Sequence, residues 1–145
     1  YAMLKDYPNA LKDVNAELSA FAPSAKPLTL DGIKDFYDNL DYYTPENPTP
    51  KKELHPSFTL DMENQEPMLQ CILQLRRLIT IHEGLRMQDI KRYGITIYRR
   101  RLTEGNEIER VTDKMDKDDP RLAIQLPTEV LSAGMQANPR NTTNK

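Results

Sequence analysis

Hydrophobic residues recur at helical spacing in three stretches of the chain and alternate at strand spacing further on. The longest helical stretch is Met68 to Gly94, MLQCILQLRRLITIHEGLRMQDIKRYG. At roughly 100° per residue, Met68, Ile72, Leu75, Ile79, Ile90 and Tyr93 share one face, and Gln70, Gln74, Arg77, Thr80, Gln88 and Lys91 lie opposite. The spacing predicts one long amphipathic helix over 64–93. Asn64 is its expected N-cap, Glu66 and Pro67 suit its first turn, and Gly94 is its natural terminator. Leu4, Leu11, Val14, Leu18 and Phe21 predict a shorter helix ending at Phe21, begun near Asn9 because Pro8 interrupts the start and Asn can cap. Ile33, Phe36, Tyr37 and Leu40 predict another, capped by Asp31.

Between these helices the segment DYYTPENPTPKKELHP, from Asp41 to Pro56, holds Pro45, Pro48, Pro50 and Pro56. Each Pro pushes its predecessor toward extended backbone, so a stiff surface loop is expected. Phe58, Leu60 and Met62 alternate with Thr59 and Asp61, which fits a short strand or an extended lead into the helix. After Gly94, ITIYRRRL and EIERV predict a hairpin over 95–111, turning at Thr103 to Asn106. Ile95, Ile97, Arg99 and Arg101 would share one face of it, and Thr96, Tyr98, Arg100 and Leu102 the other. Thr112 to Pro120 reads as a polar loop. In the tail, 121–145, Leu122, Ile124 and Leu126 read as a short extended run, Thr128 as the cap of one helical turn ending at Gly134, and the residues from Asn138 as frayed. The segments 1–62 and 63–145 are expected to form one structural unit, mainly α with irregular Pro-rich loops and a small β-hairpin.

Charge changes this picture on the long stretch. Glu83 and Arg86 project from the middle of its apolar face, with Arg76 two turns earlier and Asp89 at the edge. An ionised group removed from water costs several kcal/mol unless partnered, so a half-buried network of Arg76, Glu83, Arg86 and Asp89 is predicted. On that reading Glu83→Ala destabilises by about 3 kcal/mol or more. Gly84 inside a helix implies either a close backbone or a bend there.

Composition excludes more than it assigns. With 38% hydrophobic residues, 11 Pro and 5 Gly among 145 residues, the chain suits one domain with a modest core and stiff irregular segments. The net charge of -2, from 20 basic and 22 acidic residues, offers no global field for nucleic acid or anionic lipid. No apolar run approaches the ~18 residues of a membrane span. The single cysteine, Cys71, reads as a small buried thiol near the apolar face.

No catalytic constellation stands out. His82-Glu83 lacks the second histidine four residues later that a zinc protease helix needs, since position 86 is Arg. No metal or other cofactor is implied. The triplet Arg99-Arg100-Arg101 lies beside Glu104, Glu107, Glu109 and Asp113, which would absorb its charge across the strands, so nucleic acid is not expected as a partner. Asn141-Thr142-Thr143 matches a glycosylation acceptor by spacing alone. Sugar recognition calls for exposed aromatic faces beside polar groups, and Tyr42 and Tyr43, next to Asp38, Asn39 and Asp41, are the richest local source. The alternative is that these rings staple the Pro-rich loop to the core.

Arg76-Arg77, Glu83-Gly84, Arg86, Asp89 and Lys91-Arg92-Tyr93-Gly94 together resemble the charged helix in the C-terminal part of SusD/RagB proteins. Departures are Leu75 and Ile79 at glutamate positions, His82 for Phe, Leu85 for His, and Met87 and Tyr93 for Trp. Ile124 to Val130 followed by Ala137-Asn138-Pro139 is similar to that family's closing pattern, with Pro127 displaced. The resemblance covers about Leu69 to Arg140. It implies the C-terminal part of a tetratricopeptide-containing helical fold, belonging to a longer protein held at the extracellular face of the outer membrane by an N-terminal lipid anchor outside this chain. It further implies non-catalytic capture of a glycan or peptide nutrient, with a SusC-like TonB-dependent transporter as partner. The competing reading is a self-contained structural or adaptor protein that docks through the Arg-rich hairpin.

Overall fold

A computed structural model describes residues 1–140 of the chain. After a 3-10 turn at Ala2–Leu4 come α1 (Tyr7–Phe21), α2 (Leu30–Asp38), α3 (Gln65–Ile79), α4 (Arg86–Tyr93), β1 (Ile97–Leu102), β2 (Ile108–Met115), a second 3-10 turn at Pro120–Leu122 and α5 (Thr128–Ser132). Among the described residues the fold is therefore mixed α/β, with five α-helices, a two-stranded antiparallel sheet and 41% helix. The predicted acceptor sequence at Asn141 lies outside the described residues.

The predicted helix over 64–93 is two helices. Thr80 ends α3 by turning both its backbone N–H (2.9 Å) and its hydroxyl (2.7 Å) onto the Arg76 carbonyl. His82 and Gly84 then take left-handed backbone, at φ 71° and 74°, which no α-helix accommodates. Gly84 is thus explained by a chain reversal, since no other backbone approaches it. At the far end Gly94, at φ 61°, closes α4 as expected, and His55 donates its N–H to the Tyr93 carbonyl at 2.8 Å.

The break also redraws the buried face. Met68, Leu69, Cys71 and Leu73 are buried on α3, against Ala10 and Val14 of α1, Ile33 and Tyr37 of α2, Ile90 and Tyr93 of α4, and Ile95 and Leu122. Full burial of a side chain such as Met68 is worth about 1.5–3 kcal/mol. Gln70, placed on the polar face by periodicity, is only 2% exposed. Its amide oxygen accepts the Lys52 N–H at 3.0 Å and its amide nitrogen donates to Glu66 at 2.6 Å and to the Lys52 carbonyl. The Pro-rich loop covers the polar side of α3, and Gln70 satisfies its backbone there. Lys51 is buried as well, donating to the carbonyls of Tyr37 and Leu40 at the end of α2.

The predicted charge network is reduced to one pair. Arg76 holds buried Asp89 in a fork, Nε to Oδ2 and Nη2 to Oδ1 both at 3.2 Å, linking α3 to α4 across the break. Glu83 is exposed in the reversal and makes no ion pair among the described residues, and Arg86 faces elsewhere. The left-handed residues on either side of Glu83 rotate it off the line that a continuous helix would have given it. Glu83→Ala is accordingly expected to change stability by less than about 0.5 kcal/mol, read from urea unfolding, in place of the large loss predicted from a continuous helix.

Helix starts differ by local chemistry. Asp6 caps α1, accepting the Asn9 N–H at 3.3 Å, so Pro8 sits harmlessly in the first turn. Thr29, and not Asp31, caps α2 through Gly32 N–H at 3.1 Å. Pro127 takes the capping position of α5 in place of Thr128, which begins the helix itself. The hairpin's second strand runs on to Met115, through residues predicted as loop. Thr112 donates its hydroxyl to the Arg99 carbonyl at 3.2 Å, and Arg121 reaches back to Asp113 and to the Lys114 carbonyl. Only Leu122 of the predicted extended run is buried, while Ile124 is 90% exposed. Asn138 is tied down and not frayed, exchanging hydrogen bonds with Gln125 and donating to the Ile124 carbonyl at 2.7 Å.

Candidate functional site

Tyr42 and Tyr43 are neighbours in the chain, but their rings meet different partners. Tyr42 lies over the buried Lys51 ammonium, 4.5 Å from its ring centroid. Tyr43 faces an open cleft of about 540 Å³. Its backbone is fixed by donation to the Lys51 carbonyl at 2.8 Å, and its ring leans on Tyr98 of β1 at 5.9 Å between centroids. The structure therefore places one of the two tyrosines at a concave surface and uses the other to cover a buried amine.

The cleft is cationic. Lys52 comes from the Pro-rich loop, Arg77 from the last turn of α3, Arg86 from the first residue of α4, and Arg100 from β1; no Asp or Glu lines the wall among the described residues. Ile90, Ile95 and Ile97 supply an apolar floor. The Lys52 ammonium stands 3.3 Å from the Tyr43 ring centroid and donates to the Thr49 carbonyl at 2.9 Å, while the Arg100 guanidinium lies 5.6 Å from the same ring. Both positions suit attraction to the ring face. Burial, then repulsion from Arg77, Arg86 and Arg100, pulls the Lys52 ammonium down to about 7. Burial, then Arg77, also lowers Arg86, with Asp89 opposing.

That cluster has a measurable consequence. Unfolded, Lys52 titrates near 10.5; folded, near 7. Between these values the unfolded chain binds a proton that the folded chain does not, so the Lys52 contribution to stability rises with pH across that window and is flat below it. The stability of the native chain relative to Lys52→Met is expected to increase between pH 6 and pH 9 in urea titrations. A constant difference would place Lys52 in ordinary solvent.

No protein-family model, curated protein or solved structure matches this chain. Of the residues singled out by sequence, Tyr43 and Arg86 meet in the cleft, Arg76 and Asp89 form a structural clasp behind it, and Glu83 and Tyr42 stand apart. Lys52, Arg77 and the cleft role of Arg100 emerge only from the fold. Arg100 shares a strand face with Tyr98, a signal that the alternation carries, but Lys52 and Arg77 have none until the loop is laid along α3. His55 pairs with Glu53 at 3.3 Å, and His82 stands exposed in the reversal, so the histidines do not meet. Cys71 is buried and its thiol is pushed up to about 11 by burial, which makes it unreactive.

Proposed function

We propose that the chain is a non-catalytic binding module, the C-terminal part of a SusD/RagB-type receptor. Such a receptor captures a glycan or peptide nutrient at the outer-membrane surface and hands it to a SusC-like TonB-dependent transporter. The observation that carries this reading is the Tyr43 cleft, an open concavity with one aromatic face, hydrogen-bond donors around it and an apolar floor. No Asp, Glu, His, Ser or Cys lines it among the described residues. The order of Arg76-Arg77, Arg86, Asp89 and Lys91 to Gly94, followed by Ile124 to Val130 and Asn138-Pro139, supports the kinship. In this reading the Arg76–Asp89 clasp keeps α3 and α4 in the geometry that forms the cleft wall. In this reading membrane attachment falls to a lipid anchor; among the described residues no helix is long and apolar enough to cross a membrane.

Glycan and peptide arrays probed with the chain test it. Retention of a ligand that is recovered unaltered, and is lost with Tyr43→Ala, is the expected result. Ligands bound equally by Tyr43→Ala, or none at all, count against the module. One observation favours a second reading, an adaptor: among the described residues β1 and β2 form a two-stranded sheet with no further strand on either outer edge. That reading predicts a stable partner complex, with no array ligand.

A further inference from the structure

Several cations of this fold are held by carboxylates or by helix-end carbonyls. Arg76 has Asp89, Arg121 has Asp113 and Asp119, and the buried Lys51 has two carbonyls at the end of α2. Lys52 and Arg86, both half-buried, and Arg77 and Arg100, both exposed, are brought together from four separate elements, and no carboxylate lines the cleft among the described residues. Like charges gathered this way repel, and the fold tolerates that where an anion is to be received. Three of the four are arginines, whose planar forks match the two oxygens of a carboxylate or sulfate. The Lys52 ammonium covers one face of the Tyr43 ring, and the rest of that ring with the isoleucines beside it offers the apolar surface that the CH face of a sugar ring packs against.

We propose that the cleft selects acidic saccharides, short oligosaccharides whose carboxylate or sulfate groups are held by Arg77, Arg86 and Arg100 while a sugar ring lies on Tyr43. The inference rests on the binding-module reading and names its ligand class. Size and surroundings separate it from nucleic acid. A cleft of about 540 Å³ takes a few sugar units, and the turn of the hairpin beyond Arg100 carries the exposed Glu104 and Glu107, which disfavour a long polyanion. Lys52 adds a pH dependence. It faces Arg77 from α3, Arg86 from α4, Arg100 from β1 and the Tyr43 ring from the loop, and is only part-protonated near neutrality. A bound anion favours its charged form, so affinity falls as pH rises from 6 to 8.5.

Calorimetric titration of the 145-residue chain at low salt provides the test, with oligogalacturonate, a sulfated oligosaccharide, neutral maltoheptaose and hexaglutamate as probes. At least one acidic sugar is expected to bind about tenfold or more tightly than maltoheptaose and hexaglutamate. Arg86→Ala and Arg100→Ala should each weaken it by about tenfold, and Arg110→Ala, a matched charge loss on β2 outside the cleft, should not. The stronger of the two acidic sugars identifies carboxylate or sulfate as the preferred group. Arg100 is exposed, so its variant keeps the test informative if Arg86→Ala fails to fold. Equal binding of maltoheptaose overturns the charge selection and leaves the binding module standing. Preference for hexaglutamate overturns the saccharide assignment, and no binding by any probe overturns both.

Discussion

Gly94→Ala is expected to destabilise the fold by about 3 kcal/mol or more, a large effect for the addition of one methyl group. Two costs add. At φ 61° an L side chain crowds its own carbonyl, worth about 1–2 kcal/mol. The new Cβ would also press into the carbonyl oxygen of His55 and stand 2.8 Å from its carbonyl carbon, and this is backbone that cannot swing away. The His55 segment is itself anchored to the end of α4 by its hydrogen bond to Tyr93, so relief of the clash sacrifices that contact. Gly84 supplies the control. Its φ of 74° is as left-handed, but nothing lies within 4 Å of the place its methyl would take, so Gly84→Ala should cost only about 1 kcal/mol. Urea unfolding of the two variants side by side reads the difference; equal losses would mean the loop does not press on Gly94.

Removing Arg76 is expected to cost more than removing Asp89. The two side chains form one forked pair but are unequally hidden, Asp89 at 7% exposure and Arg76 at 44%. Arg76→Ala strands an ionised carboxylate in a dry place, for which about 2–3 kcal/mol is expected after allowing for the pair's open side. Asp89→Ala leaves a guanidinium that turns into water, so about 1 kcal/mol is the greater part of its cost. The measured order in chemical denaturation decides the matter, and Asp89→Ala as the worse variant would reverse the assignment of burial. Because this clasp joins α3 to α4 next to Arg77 and Arg86, Arg76→Ala should also loosen the cleft. Asymmetry of this kind is what separates a structural ion pair from a binding group.

Local patterns that depend on a few neighbouring residues are legible without the fold. Gly94 ends a helix because only a residue without Cβ sits easily in left-handed backbone, and the strand alternation after it predicts the hairpin with Arg100 beside Tyr98. The apolar spacing of Leu11, Val14, Ile33, Tyr37, Met68, Ile72 and Ile90 likewise marks helices, because burial follows periodicity where one face meets a core. Periodicity across 79–86 misleads, since the spacing of apolar residues survives a chain reversal that breaks their common face. Glu83 points inward only if Thr80, His82 and Gly84 continue the helix, and they do not.

By itself, then, the order of residues marked α1, α2, the start of α3, the end of α4 at Gly94 and the first strand of the hairpin, read Cys71 as a buried thiol, and offered Tyr42 and Tyr43 as candidate contacts. Tertiary structure alone decided that α3 is covered on its polar side, which turned Gln70 inward and drew Lys52 toward Arg77. It also decided which arginine neutralises Asp89 and which are left facing a cavity. The physical reason is range: capping and periodicity act within a turn or two of the chain, whereas a half-buried charge is set by whatever distant segment removes its water. Lys52, Arg77, Arg86 and Arg100 share no local pattern, and only folding brings their charges into one cleft.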